Sequence, residues 1–193
     1  MYIILLDSSN TNLSVGIAKD NVLLESVSYE AWQRQSEYMI PELDKLLQKY
    51  KVSNDEIDAV MVAQGPGSYT GVRIAITIAK TIATALNIKL YAVSSLRVLK
   101  DATRPSICLI NARSGRSYFG VYSGREIIVS DCIMKNEDVL QYITNHPDYS
   151  VCGETQYLNI EGVVSNNLFE MLCLKDDLQD INPLSLRPVY MKD

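Results

Sequence analysis

The stretch QGPGSYTGVRI, residues 64–74, combines three glycines with the start of a long apolar segment. Its glycines stand at 65, 67 and 71, whereas a dinucleotide-binding loop needs the third at 70 and a Walker loop needs Gly-Lys-Ser/Thr. A glycine turn into a helix can still bind an anion, because free N–H groups lie at the positive end of the helix dipole. Alternatively, Ser68 or Thr70 caps those N–H groups. We favour the capped turn and keep Gly67 and Ser68 as candidates for a cofactor site.

The segment after the turn, residues 70–86, predicts a helix that is apolar over most of its circumference. Its polar residues form one stripe with spacings of three and four, namely Thr70, Arg73, Thr77, Lys80, Thr81 and Thr84. We expect such a helix to be buried on more than one side, and a sheet covers only one. Either a second helix at 36–50 covers the rest, or both helices also meet another chain.

The patterns on either side of this helix predict a mixed α/β chain. Expected strands are 2–6, 13–19, 22–29, 58–64, 89–93, 106–112, 116–122, 127–132 and 149–152, and expected helices are 36–50, 70–86, 136–144 and 166–174. Asp20-Asn21 suits a two-residue hairpin turn, and Ser53 with Glu56 matches a capping box. We expect Pro41 to kink or delay the first helix, and Asn136 to cap the third.

The order of these elements indicates two lobes. A hairpin-led sheet is followed by βαβ units, and the second half opens in a similar way. This order suggests the architecture of actin-like ATPases and sugar kinases. We place an N-terminal lobe with a mixed sheet and two partner-binding helices at 1–102, and a smaller mixed α/β lobe at 103–193.

An acid at the end of the first strand is the main hint of nucleotide chemistry. Asp7, followed by Ser8-Ser9-Asn10, could face a hydrated magnesium ion and phosphates, or could simply be an Asx-turn residue. The matching strand end in the second half carries Asn111, where an ATPase would need an acid. A zinc site or a Ser-His-Asp triad would depend on His146, the one histidine of the chain. We therefore expect no catalytic residue and no metal site, and keep Asp7 and Ser9 as candidates for a cofactor site.

Composition narrows the class of protein. The net charge of −5 over 193 residues disfavours unaided nucleic-acid binding, which depends on neutralising phosphates. Without a signal peptide or an apolar run of about 20 residues, we expect a soluble cytoplasmic protein that does not enter a membrane. Cys108, Cys132, Cys152 and Cys173 form no CxxC pair, and we expect free buried thiols. The basic residues Arg113, Arg116 and Arg125 form either a solvated face or an RNA contact within a complex.

Several segments in fixed order resemble one known family. They are GPGSYTGVRI at 65–74, ILLDSS at 4–9, QSE at 35–37 followed by Pro41, SSL at 94–96, and NARSGRSY at 111–118. Together they are similar to the TsaB (YeaZ) family over about residues 1–122. The chain departs from that pattern with Gln35 for histidine, Tyr69 for phenylalanine, Ala75 for glycine and Asn111 for aspartate.

The resemblance implies a degenerate actin-like ATPase or sugar-kinase (ribonuclease H-like) fold with a reduced second lobe. It further implies a non-catalytic subunit of the complex that forms N6-threonylcarbamoyladenosine beside the anticodon of tRNAs reading codons that start with A. Implied partners are the catalytic paralogue TsaD, the ATPase TsaE, tRNA through the complex, and a second copy in a homodimer. ATP and magnesium would be used by the complex, with no cofactor in the isolated chain. The expected partner interface comprises Ser36, Glu37, Met39, Arg73, Thr77, Lys80, Thr81 and Thr84. The alternative is an active ATPase or small-molecule kinase of the same fold.

Overall fold

The computed structural model describes residues 1–31 and 33–191, which form two β-sheets with helices packed on them. The strands are β1 Tyr2–Asp7, β2 Asn12–Lys19, β3 Val22–Glu30, β4 Ile57–Ala63, β5 Lys89–Val93, β6 Ser106–Arg113, β7 Arg116–Ser123, β8 Glu126–Lys135 and β9 Ser150–Gly153. The helices are α1 Gln35–Tyr50, α2 Tyr69–Leu86, α3 Asn136–Asn145 and α4 Asn167–Cys173. Short 3-10 turns occupy Asn54–Glu56, Arg97–Leu99, Gln156–Leu158 and Lys175–Asp177.

The first sheet has the strand order β3-β2-β1-β4-β5, and the second has the order β8-β7-β6-β9. The β2–β3 hairpin turns at Asp20 and Asn21, whose φ angles of 51° and 64° suit the tight turn that the sequence predicts. β1 pairs in parallel with β4, and β4 with β5, so α1 and α2 serve as crossover helices between them. Both sheets and the α/β class are as predicted.

Alternation along β1 divides the first core into two layers. Ile4 and Leu6 pack with α1 and α2, whereas Ile3 and Leu5 pack with α4, because successive side chains point to opposite faces of a sheet. One face of the second sheet packs against α3. Val139 of α3 is buried there in a separate core cluster with residues of β6 and β7.

Two local predictions need correction. Pro41 does not delay α1, which begins at Gln35 and continues through Pro41 to Tyr50, whereas the kink stays a prediction. Asn136 does not cap α3. Lys135 holds the N-cap position, and the Asn136 amide oxygen accepts a hydrogen bond from Ser117 Oγ at 3.0 Å.

The last part of the chain returns to the first sheet. α4 contacts β1, β2, β3 and β4, and residues beyond it bond to β5 and to the end of β4. The division at 102/103 stays a prediction, but α4 and residues 181–189 pack on the first sheet although they follow the second in the chain. None of the helices within the described residues is long and apolar enough to cross a membrane.

The cysteines differ from the expectation in their burial. Cys108 and Cys152 are buried on the paired strands β6 and β9, but Cys132 is half-buried and Cys173 is exposed. All four are free thiols. The prediction of buried thiols is therefore confirmed for Cys108 and Cys152 and wrong for Cys132 and Cys173.

Candidate functional site

A cleft of about 630 Å³ lies between the ends of the two sheets. On one side it is lined by the β1–β2 loop at Ser9–Thr11 and by residues 67–70 at the start of α2. On the other side it is lined by residues 110–113 of β6 and by Glu154, which follows β9. The sequence-predicted candidates Ser9, Gly67 and Ser68 therefore lie together, as their strand-end positions suggest.

The glycine turn is joined to the β1–β2 loop by backbone contacts. The Ser68 N–H donates to the Ser9 carbonyl at 2.6 Å. A Cβ on Gly67, where φ is +155°, would lie 2.1 Å from the same carbonyl oxygen. Glycine is thus required at 67 for the close approach of two main-chain segments, and this packing explains the residue without a ligand.

The first turn of α2 is capped internally. Ser68 Oγ accepts a hydrogen bond from the Gly71 N–H at 3.2 Å, which confirms the capping prediction. Thr70, the alternative cap, is exposed on the helix. Capping satisfies an N–H group that an anion would otherwise contact. The geometry therefore favours a capped turn over an anion-binding site.

Asp7 lies beneath the loop and does not line the cleft. Its side chain is 2% exposed, accepting hydrogen bonds from the Ser9 N–H at 2.8 Å and from Asn167 Nδ2 at 2.7 Å. Burial raises the pKa of this carboxyl, and the hydrogen bonds oppose the rise. A magnesium–nucleotide site would need that carboxylate to face the cleft, so these residues do not fit such a site.

The acid that does reach the cleft is Glu154. Its Oε2 accepts the backbone N–H of Asn111 at 2.9 Å, and its own N–H donates to the Leu109 carbonyl. Glu154 is not among the site residues predicted from the sequence, although its place directly after a short strand is a usable signal. Within residues 1–31 and 33–191, no three His, Cys, Asp or Glu side chains lie close enough to hold a metal ion.

The basic residues of the second half differ in their surroundings. Arg113 lines the cleft, with a positive φ of 63°. Arg125 pairs with Asp177 at 3.0 Å, away from it. Arg116 is half-buried on β7. These three residues therefore do not form one continuous basic face.

Helix α2 exposes the face that the sequence singled out. Its inner side, formed by Val72, Ala75, Ile76, Ala79 and Ala83, is buried on the sheet. Its outward face consists of the exposed residues Thr70, Arg73, Thr77, Thr81 and Thr84, bordered by half-buried Ile74, Ile78 and Ile82. Lys80 is half-buried and donates to the Leu186 carbonyl at 3.2 Å. The helix is thus covered on its sheet side and flanks, while its outward face remains uncovered in this chain.

The expected interface residues of α1 divide into surface and core. Ser36 and Glu37 are exposed, and Glu37 pairs with Arg34 at 2.9 Å. Met39 is 0% exposed in the core beneath α1, so its assignment to a partner surface was wrong. The neighbouring Ile40, which was not predicted as an interface residue, is 48% exposed.

Comparison with known proteins gives consistent matches. Residues 27–171 match the profile of the family described as TsaD, tRNA N6-adenosine threonylcarbamoyltransferase. The chain is 38% identical over 127 residues to the tRNA threonylcarbamoyladenosine biosynthesis protein TsaB of Bacillus subtilis, covering 63% of this chain and 55% of that protein. It is 28% identical over 198 residues to the uncharacterized protein MG208 homolog of Mycoplasma pneumoniae, covering 100% and 95%. Its structure is similar to YeaZ from Pseudomonas aeruginosa, with a TM-score of 0.81, 22% identity and coverage of 98% and 99%.

These matches differ in what they cover. The match to the Bacillus relative spans little more than half of that protein, 55% of its length. The YeaZ structure covers nearly the whole chain and shows that the two-sheet α/β fold is shared. The ordered motifs, the family profile over residues 27–171 and the shared fold agree, and the chain belongs to the TsaB (YeaZ) family, within the group described as TsaD, tRNA N6-adenosine threonylcarbamoyltransferase.

Proposed function

We propose that this chain is an accessory subunit, without catalytic activity of its own, in the formation of N6-threonylcarbamoyladenosine in tRNAs that read codons starting with A. It binds and supports a TsaD-type catalytic subunit. The TsaE ATPase joins the same cytoplasmic complex, tRNA is met only through that complex, and ATP and magnesium are used there rather than by this chain. Family membership supports the pathway, and the enclosed position of Asp7 supports a non-catalytic role.

The outward face of α2 is the observation that carries this proposal. A helix face that remains in water usually carries charged residues, yet this one carries threonines beside half-buried isoleucines, with Arg73 as its charged residue. The helix has 18 residues and is therefore about 27 Å long, enough to form the centre of a helix-to-helix interface. A partner helix laid on it would bury the threonine methyl groups and the isoleucines.

Helix α1 extends the same surface. It packs beside α2 on the same face of the first sheet, and its exposed residues include Ile40, Ser36 and Glu37. We assign these three residues to the edge of the interface. A second copy of the chain would use the same face, so we expect the homodimer and the heterodimer to compete for it.

The interface is tested by placing a charge on the outward face of α2. Thr81→Glu should weaken binding of the purified TsaD paralogue from the same genome at least about 30-fold, because a carboxylate would be buried without a partner. Thr144→Glu is the matched control. Both threonines are exposed, and each donates from Oγ1 to the carbonyl four residues earlier at 2.9 Å. Equal affinities of the two variants and the unchanged chain, measured by titration calorimetry, would place the interface elsewhere.

The cleft supports one alternative function, that of an active ATPase or small-molecule kinase. A volume of about 630 Å³ falls in the range of small-ligand sites. Titration of the isolated chain with ATP and magnesium separates the two functions. Absent or millimolar binding supports the accessory subunit, whereas micromolar binding with turnover supports the kinase.

A further inference from the structure

The C-terminal segment forms an ordered strap along the first sheet and α2. This strap, residues 180–191, begins where the Ile181 N–H donates to the Leu90 carbonyl at 2.8 Å on the edge of β5. Further along, Leu186 is buried in the core, and its carbonyl accepts the hydrogen bond from Lys80. The Val189 N–H then donates to the Gln64 carbonyl at 2.8 Å, directly before the glycine turn.

The strap ends in an exposed aromatic cluster. The ring of Tyr190 stacks on that of Tyr69, with centroids 5.1 Å apart and planes inclined by 24°. The Arg73 guanidinium lies 5.0 Å from the Tyr69 ring centroid and donates to the Tyr69 hydroxyl. Tyr69 is 59% exposed and Tyr190 45%, although all three side chains are already held in place by one another. The cluster is thus pre-ordered and largely uncovered.

The charge of this surface is opposite to that of the protein. α2 and the strap contain Arg73, Lys80 and Arg187 against one acid, Asp180, whose carboxylate accepts the Leu90 N–H at 3.0 Å, whereas the whole chain has a net charge of −5. Lys80 donates to the Leu186 carbonyl, and Arg187 donates to the carbonyls of Leu184 and Leu186. Arg73, which donates one N–H to the Tyr69 hydroxyl, is therefore the cation that meets an incoming group.

We propose that the strap and the outward face of α2 form one composite docking surface, whose recognition element is the cluster of Tyr69, Arg73 and Tyr190. It fits a protein partner that places a carboxylate on Arg73 and an apolar group against the two tyrosines. Arginine binds carboxylates through two parallel hydrogen bonds, and tyrosine and arginine dominate binding energy at protein interfaces. A nucleic-acid backbone would call for more cations than this surface offers. The inference rests on the proposed function for the existence of the partner, and adds the strap and the acidic character of the partner's surface.

The test is calorimetric binding of the full chain to the purified TsaD paralogue. We expect Arg73→Glu to weaken binding at least 30-fold, and Tyr190→Ala to weaken it about tenfold through loss of stacking area. Tyr190→Phe, which keeps the ring, should bind within about twofold of the unchanged chain. Lys135→Glu is the charge-matched control, because Lys135 is exposed at the end of β8 in the second sheet, whereas the strap bonds to the first sheet. Circular dichroism of each variant separates a lost contact from a lost fold.

The outcomes are distinguishable. If the unchanged chain binds the paralogue, and Arg73→Glu and Tyr190→Ala bind equally well, the composite surface is overturned while the accessory function stands. If the unchanged chain does not bind the paralogue at all, the proposed function fails and this inference fails with it. If the isolated chain binds tRNA and Arg73→Glu removes that binding, the surface recognises RNA and the protein-partner assignment is overturned.

Discussion

The hydroxyl of Ser8 donates a hydrogen bond of 2.8 Å to the carbonyl of Gly71, and the backbones of these two residues almost touch. A Cβ on Gly71 would lie 1.9 Å from the Ser8 carbonyl oxygen. The start of α2 is therefore seated directly on the β1–β2 loop. This contact fixes the geometry of one wall of the cleft.

Gly71→Ala should destabilise the protein by about 2–3 kcal/mol, because the added methyl group meets a backbone oxygen that cannot move alone. Helix propensity alone predicts the opposite sign, a gain of about 1 kcal/mol. Urea unfolding of the variant distinguishes the two. Gly124→Ala is the comparison, since nothing lies within 4 Å of its Cβ position and only its positive φ of +55° opposes the change. A Gly71 variant no less stable than the Gly124 variant would contradict the close seating of α2.

Features that depend on residues close together in the sequence were easier to predict than features that depend on contacts between distant parts of the chain. The hairpin at Asp20-Asn21 and the cap at Ser68 are local, and both were predicted. Met39 is buried and the adjacent Ile40 is exposed because of the face that α1 turns towards the sheet. Residue spacing alone did not show which of the two would be at the surface. The position of Glu154 in the cleft and of Tyr190 on Tyr69 depends on contacts between distant parts of the chain. No periodicity in a single sequence encodes such contacts.

Asp7→Asn tests the enclosed carboxyl through the pH dependence of stability. The pKa of Asp7 is raised above its ordinary value of 3.8 by burial, so the folded state favours the protonated form. Its contribution is most favourable below pH 3.8 and is lost as the pH rises through the raised value. The asparagine variant should therefore gain stability relative to the unchanged chain as the pH rises from about 4 to 7.

Asp101→Asn provides the control of opposite sign. Hydrogen bonds from the Thr103 N–H, the Thr103 hydroxyl and the Ser150 hydroxyl lower the pKa of Asp101, so its stabilisation is present at neutral pH and lost on acidification. This variant should lose stability relative to the unchanged chain as the pH rises. Urea unfolding of both variants at several pH values measures the difference. A parallel pH response of the two variants would show that Asp7 is held as a charged group, as a metal or cationic partner would require.

Two helices, α1 and α2, end on a residue in the left-handed backbone conformation. Asparagine, at the end of α2, adopts this conformation more readily than lysine, at the end of α1. Lys51 closes α1 with φ 53°, and Asn87 closes α2 with φ 54°. Lys51→Gly should stabilise the protein by about 0.5–1 kcal/mol, because glycine has no Cβ to oppose this backbone. Asn87→Gly should change stability by only a few tenths, since asparagine adopts this conformation readily. Thermal unfolding compares the two, and an equal gain from both would refute the assigned cause.

A buried ion pair joins α4 to the segment between the two sheets. Lys100 Nζ bonds to Glu170, and the side chains are only 6% and 5% exposed. Lys100→Met should cost about 3–5 kcal/mol, because it leaves the Glu170 carboxylate buried without its cation. Lys100→Met combined with Glu170→Leu should recover much of that loss, since two apolar groups of similar size need no partner. The double-mutant cycle in urea isolates the coupling. Losses that simply add would mean that the two groups do not depend on each other and that the ion pair does not couple α4 to the segment after β5.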